Sequence, residues 1–179
     1  MTQVSRFAQL TPLLLLLATC VGCDQAAKLV ARAELSHSDP ISYLNGVVRF
    51  EYAENAGAFL SLGSRLPQQA RFFFLVVMVG GLLTIGLGLT IFSDRLNLRQ
   101  KAVLALAVGG GLGNLIDRIA NGAVVDFMSL GIGNLRTGIF NLADVAIMVG
   151  MVGVLLLTGP EPAANPALPA NTASQLAED

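Results

Sequence analysis

Two aspartates of this chain could do chemistry together. Asp126 stands in Val124-Val125-Asp126-Phe127 and Asp144 in Phe140-Asn141-Leu142-Ala143-Asp144, each at the edge of a long apolar stretch. A carboxylate at membrane depth costs roughly 2.5–3.5 kcal/mol on insertion scales, so it persists where a function or a partner requires it. Two carboxylates brought together cannot both ionise easily, and one keeps a proton. The ionised member can then take a proton from water while the protonated one polarises a scissile carbonyl, which is acid–base hydrolysis of a peptide bond. The competing reading is structural. Asp144, or Asn141 in its place, would cap the start of a helix, and Asp126 would be an ordinary interfacial residue.

Other chemistries are poorly supplied. The single His37 sits in the polar stretch Ser36-His37-Ser38-Asp39, where a lone imidazole is far more often solvated than a ligand. No metal-ligand set and no Ser/His or Cys/His arrangement accompanies it, so metal and nucleophilic chemistry are poorly supplied. Cys20 and Cys23 form a C-x-x-C at the end of an apolar helix. Apolar burial makes thiols inert, and small packing residues on one face are the better reading. The acidic pair is left as the best-equipped hydrolytic centre.

The elements that must position that pair are membrane helices. Of the 179 residues, 54% are hydrophobic and 13% charged, against about 25% charged in soluble domains. Net charge near −1, with no basic run, gives no footing for a nucleic-acid partner. Four apolar spans are expected: Phe7 to Val30, Phe72 to Phe92, Ala102 to Ile119 and Ile139 to Thr158. Ser93 to Lys101 carries Arg95, Arg99 and Lys101, so the positive-inside rule places it in the cytoplasm, with both termini. The loops Leu35–Arg71 and Asn121–Gly138 then face outward, and Asp126 and Asp144 fall at the same outer side.

Within the first outer loop, Val48-Arg49-Phe50-Glu51-Tyr52 alternates like a half-buried strand after the turn dipeptide Asn45-Gly46. The expected fold is an all-α integral membrane protein of four transmembrane helices with a small extracytoplasmic β element. Residues 1–158 form the helical unit, with the β element at about 35–71. Residues 159–179, rich in Pro and Ala, read as a disordered cytoplasmic tail. Leu17-Ala18-Thr19-Cys20 resembles the cleavage box of a lipoprotein-type secretory signal. The helix pattern continues through Val30, however, so a retained first span is expected.

Three polar or small-residue patterns lie along these spans. Asp24 and Lys28 are four apart and can pair on one helix face; spacing alone favours a solvated Asp beside a snorkelling Lys. Gly109-Gly110-Gly111-Leu112-Gly113 contains a G-x-x-x-G, which favours close helix packing. Asn114 and Arg118 share a face at the outer end of the third span, where buried polar groups need partners.

Taken in order, Asp24-Gln25-Ala26-Ala27-Lys28, Asn55-Ala56-Gly57-Ala58-Phe59, Gly113-Asn114-Leu115-Ile116-Asp117-Arg118, Val124-Val125-Asp126-Phe127 and Phe140-Asn141-Leu142-Ala143-Asp144 resemble the successive motifs of the lipoprotein signal peptidase (signal peptidase II) family, over roughly Leu10 to Thr158. The resemblance implies an intramembrane aspartic endopeptidase of the bacterial inner membrane. Such an enzyme removes the signal peptide of a diacylglyceryl-modified prolipoprotein, cutting just before the lipidated Cys. It implies a catalytic dyad of Asp126 and Asp144. Asp24, Lys28, Asn55, Gly57, Asn114, Asp117, Arg118, Asn141 and Ala143 would bind substrate or order the site. It implies no cofactor or metal, and membrane lipids and the prolipoprotein as partners of a monomer. The run after Asn55 is one small residue shorter than the family's usual form. Met128 to Ile139 replaces a segment that often carries Trp-Pro.

Two other function classes fit an intramembrane acid. A carrier or channel would want inverted repeats or broken helices, and spans one and two do not echo three and four. A non-catalytic lipoprotein-binding scaffold would not need the complete acidic pair.

Overall fold

The computed structural model describes residues 3–57, 66–133 and 135–157. The first helix, α1 (Gln3–Leu35), contains Pro12 and runs five residues beyond the expected end at Val30. After it come the strands β1 (Ile41–Tyr43) and β2 (Val48–Asn55). The short helix α2 (Gln68–Phe72) passes through π-helical turns at Phe73–Met78 into α3 (Val79–Phe92). Next are α4 (Leu98–Asn121), the strands β3 (Val124–Ile132) and β4 (Leu135–Arg136), and α5 (Leu142–Leu157).

Among the described residues, three segments are long and apolar enough to cross a membrane: Leu10–Leu35, Gln68–Phe92 and Leu98–Asn121. The middle one buries none of its apolar window inside the protein, as a helix surrounded by lipid requires. The expected fourth span corresponds to α5, whose 16 described residues reach only about 24 Å at 1.5 Å per residue, short of a ~30 Å hydrocarbon core. The expected tail, residues 159–179, lies outside the described residues, as do Ala58 and Phe59.

Helix α4 is the hub, packing against α1, α3 and α5. Its start is fixed by a capping box, in which Gln100 N donates to Asn97 Oδ1 and Asn97 N donates to Gln100 Oε1, both at 3.0 Å. Gly122, at φ +75°, ends it in the left-handed conformation that favours glycine. Lys101, read from sequence as a loop charge, instead lies in the first turn of α4 and is only 8% exposed.

The glycine run works as packing predicts. A Cβ on Gly109 would stand 3.0 Å from Cys20 Cβ, one on Gly110 would collide with the carbonyl of Ala143, and one on Gly113 would lie 2.6 Å from Asp24 Oδ2. Small residues therefore let the α4 backbone lie directly against the side chains of α1 and the backbone of α5. Leu13, Leu17, Ala105 and Val108 form the core between α1 and α4. Cys20 faces α4 while Cys23 is exposed, so the two thiols do not share a buried face as expected. Cys20 lies at the edge of the contact stripe, and three further residues turn Cys23 out of it.

The β structure is larger than one element in the first loop, and the fold is not all-α. Strands β1-β2-β3-β4 form one antiparallel sheet in that order, drawing on both loops. The turn between β1 and β2 falls where Asn45-Gly46 placed it, with Leu44, Asn45 and Gly46 all at positive φ. Strand β3 escapes sequence reading because Val124 to Phe127 are all buried, and a strand covered on both faces lacks the period-two alternation. Ala53 pairs with Asp126 and Asn55 with Val124. Asp126 is thus held by a sheet, not by a loop.

Candidate active site

The sheet, α1, α4 and α5 meet at one end of the bundle, and the polar side chains gather there. Lys28 is the hidden cation. Its Nζ lies 2.7 Å from Asp24 Oδ2 and 2.8 Å from Asp117 Oδ2, and it donates to Asn114 Oδ1 at 2.9 Å. Asp24 is 1% and Lys28 4% exposed, which overturns the expectation of a solvated Asp beside a snorkelling Lys. The reason is tertiary: spacing along α1 cannot reveal that α4 brings Asp117 and Asn114 against the same face. Asp24 Oδ1 also accepts from the backbone N–H of Ala143, at 2.9 Å. This contact anchors the first turn of α5.

Asn141 joins the two aspartates. Completely buried, it directs its side-chain amide to Asp126 Oδ1 at 2.6 Å, with Asn114 Oδ1 and the Val125 carbonyl as further acceptors. Its side-chain oxygen accepts from Asp144 N at 2.9 Å, and its own N–H donates to Asp144 Oδ2 at 3.2 Å. That reciprocal pair is a capping box on α5 with Asn141 at the cap. The structural alternative raised from sequence is therefore correct in part: Asn141 caps, and Asp144 answers it. Asp144 still has Oδ1 turned to Asn114, whose amide donates at 2.8 Å.

A closed ring of hydrogen bonds completes the site. Arg118 donates from Nη1 to the Asn114 carbonyl and from Nη2 to the Gly57 carbonyl, at 3.3 and 2.8 Å. Gly57 N donates to Asn55 Oδ1 at 3.0 Å, and Asn55 Nδ2 donates to Asp126 Oδ2 at 3.0 Å. Asn141 and Asn114 close the loop. All eleven residues singled out from sequence lie in this one constellation. Gln25 was not among them, yet its amide reaches the Gly113 carbonyl and Asp117 Oδ1, both at 3.1 Å. Its spacing along α1 carries no signal of this, because both partners lie on α4.

Asp126 and Asp144 border one cavity of about 310 Å³. Its polar wall is Asn55, Asn114 and Arg118; Leu130, Ile139, Phe140, Val145 and Met148 make it otherwise apolar. Burial pushes the Asp126 carboxyl up to about 6, the charge of Asp144 adding to the shift while the amides of Asn55 and Asn141 oppose it. The cavity can thus present a proton, carboxylate oxygens and amide donors beside an apolar slot. Among the described residues no cluster of His, Cys, Asp and Glu could hold a metal ion.

Apolar helices around a buried, ion-paired interior, closed at one end by a sheet, define a membrane protein with a built polar site. Its fold matches a bacterial membrane enzyme solved by the in meso method at 1.9 Å, with TM-score 0.73, 24% identity and coverage of 85% of this chain and 95% of that one. A second such structure, at 2.3 Å, gives TM-score 0.72 at 22% identity, covering 87% and 95%. The family model for signal peptidase (SPase) II matches residues 16–158. The lipoprotein signal peptidase of Xylella fastidiosa (strain M12) is 35% identical over 147 residues, covering 81% of this chain and 86% of that protein. That of Xanthomonas campestris pv. campestris (strain 8004) is 35% identical over 145 residues, covering 80% and 85%. The chain belongs to the signal peptidase II family, and is by that membership a peptidase of the aspartic type.

Proposed function

We propose that this protein removes the signal peptide from diacylglyceryl-modified prolipoproteins, cutting just before the lipidated Cys with a water activated by Asp126 and Asp144. The observation that carries this reading is the double role of Asn141, which holds both carboxyl groups at the wall of one cavity. Asp126, whose burial favours its neutral form, supplies the proton that polarises the scissile carbonyl. Asp144 takes the proton from water; it sits in the first turn of α5, where the helix end favours negative charge. Asn55 and Asn114 keep the two carboxyl groups oriented, and Arg118 holds the Gly57 carbonyl beside them. The apolar part of the cavity accommodates the hydrophobic segment that precedes the cut.

In the same reading α5 belongs to a fourth span, expected over Ile139 to Thr158. Arg95 and Arg99 mark the cytoplasmic side, with both termini there, and the sheet and the acidic pair lie at the outer leaflet of the bacterial inner membrane. A substrate anchored in that leaflet by its diacylglyceryl group would present its scissile bond near the interface, where water can enter. Residues 1–158 act as one monomeric unit, and 159–179 take no part in catalysis.

The test is incubation of the purified chain with one precursor in lipid-modified and unmodified forms, the products being mapped by mass spectrometry. Cleavage of the modified form alone, immediately before its lipidated Cys, is the expected result. Cleavage at another bond, or equal cleavage of both forms, would contradict the substrate assignment.

A further inference from the structure

Strand β3 separates two recesses. Asp126 lines the acidic cavity, whereas Phe127, on the opposite face as successive strand residues must be, lines a groove of about 520 Å³. The groove's other walls include Ala27, Val30 and Ala31 from α1, and Tyr43 and Phe50 from the β1–β2 hairpin. Tyr43 and Phe50 meet edge to face with centroids 5.9 Å apart. Among the described residues Glu34 is the one charged group in the lining.

The groove opens beside the exposed apolar flank of α1. Val30 is 62% and its neighbour Leu29 68% exposed, on the flank of the apolar segment Leu10–Leu35. Water in such a recess would lack polar partners, and leaving it empty would forfeit dispersion contacts along its walls. Its back is sealed: Ala31, Val125 and Phe127 form a buried cluster between groove and cavity. An occupant must therefore enter from the membrane, not from the acidic site.

We propose that this groove binds an acyl chain of a membrane phospholipid, which buttresses β3 from behind the Asp126 position. The site is independent of the peptidase reading, and so is its test. The chain has no Trp, so Tyr43→Trp introduces a single reporter at the groove, and Leu82→Trp gives one on the lipid-exposed helix α3. Each protein is reconstituted with brominated phosphatidylcholine and then diluted into detergent. Quenching should persist in the Tyr43→Trp protein and vanish in the Leu82→Trp protein. Ala27→Phe, or the milder Ala27→Leu if the first fails to fold, should abolish the retained quenching by filling the groove. Added phosphatidylcholine should raise the Tm of the parent and leave that of the filled variant unchanged. Equal loss of quenching from both reporters would overturn the proposal. Displacement of the brominated lipid by a lipidated substrate peptide would also overturn it, assigning the groove to substrate.

Discussion

Asn141 donates to Asp126 at 2.6 Å from a position with no solvent exposure, while the same residue caps the helix that carries Asp144. One side chain thus links the sheet that presents one carboxyl group to the helix that presents the other. The two jobs are separable by substitution. Asn141→Ser keeps a capping oxygen and loses the amide, so the protein should hold most of its stability and lose its peptidase activity. Asn141→Ala should lose both, at a capping cost of about 1 kcal/mol, read as a lowered Tm in detergent. Parent-like activity in the Ser variant would show that the amide bridge is dispensable.

Lys28 faces Asp24 and Asp117 with almost no solvent. Lys28→Met should leave two buried carboxylates without their cation and destabilise the protein by roughly 3–5 kcal/mol. Adding Asp24→Asn to Lys28→Met should recover part of the loss, because one uncompensated charge is removed. Thermal unfolding of the four proteins in a double-mutant cycle measures this. Additive effects would mean that the pair is not coupled.

Gly113 leaves no room for a methyl group, since its Cβ would stand 2.6 Å from the Asp24 carboxylate. Gly113→Ala should cost about 1–3 kcal/mol, as overpacked sites do. Gly22→Ala, where nothing lies within 4 Å, is the control and should leave Tm unchanged or slightly raised. Equal Tm values for the two variants would remove the argument that the glycine run exists to bring α4 against α1.

How much of this was legible in sequence differs by element. The apolar spans, the Asn45-Gly46 turn and both aspartates carry local signals of length, turn chemistry and misplaced charge. Strand β3 carried none, because its residues from Val124 to Phe127 are all buried and so show no period-two alternation. The burial of Asp24 and Lys28 was equally hidden, since it depends on partners about ninety positions away on α4. Gln25 was missed for the same reason. An amide gains meaning there only when Gly113 and Asp117 are beside it.

Asp126 should also govern the pH response. Burial raises its carboxyl to about 6, so the proton required on the dyad is lost as pH rises through that value in the free enzyme. The alkaline limb of kcat/KM, which reports the free enzyme, should fall near pH 6. The linkage has the same sign. A carboxyl whose pKa is raised by folding contributes stability that is fully present below its unfolded value near 4 and is lost as pH rises through about 6. Asp126→Asn should flatten that part of the stability profile. A parent profile with no change between pH 4 and 7 would contradict the burial argument.

Arg118 acts on Asp126 at one remove, through Gly57 and Asn55. Arg118→Gln should lower kcat/KM by roughly ten- to hundredfold, the value of one or two hydrogen bonds to a charged group at about 1.5–3 kcal/mol. Arg118→Lys should recover only part, because an ammonium cannot span both carbonyls as the guanidinium fork does. Full activity in the Gln variant would detach Arg118 from the site.

The most direct test of the central claim is single-turnover cleavage of a diacylglyceryl-modified precursor by the parent, Asp126→Asn and Asp144→Asn proteins, each checked for helicity and Tm. Both variants should remain folded and cleave about 10²–10⁴-fold more slowly, as removal of a general acid or base requires. Parent-rate cleavage by either variant would contradict the assignment of these two carboxyl groups as a catalytic pair.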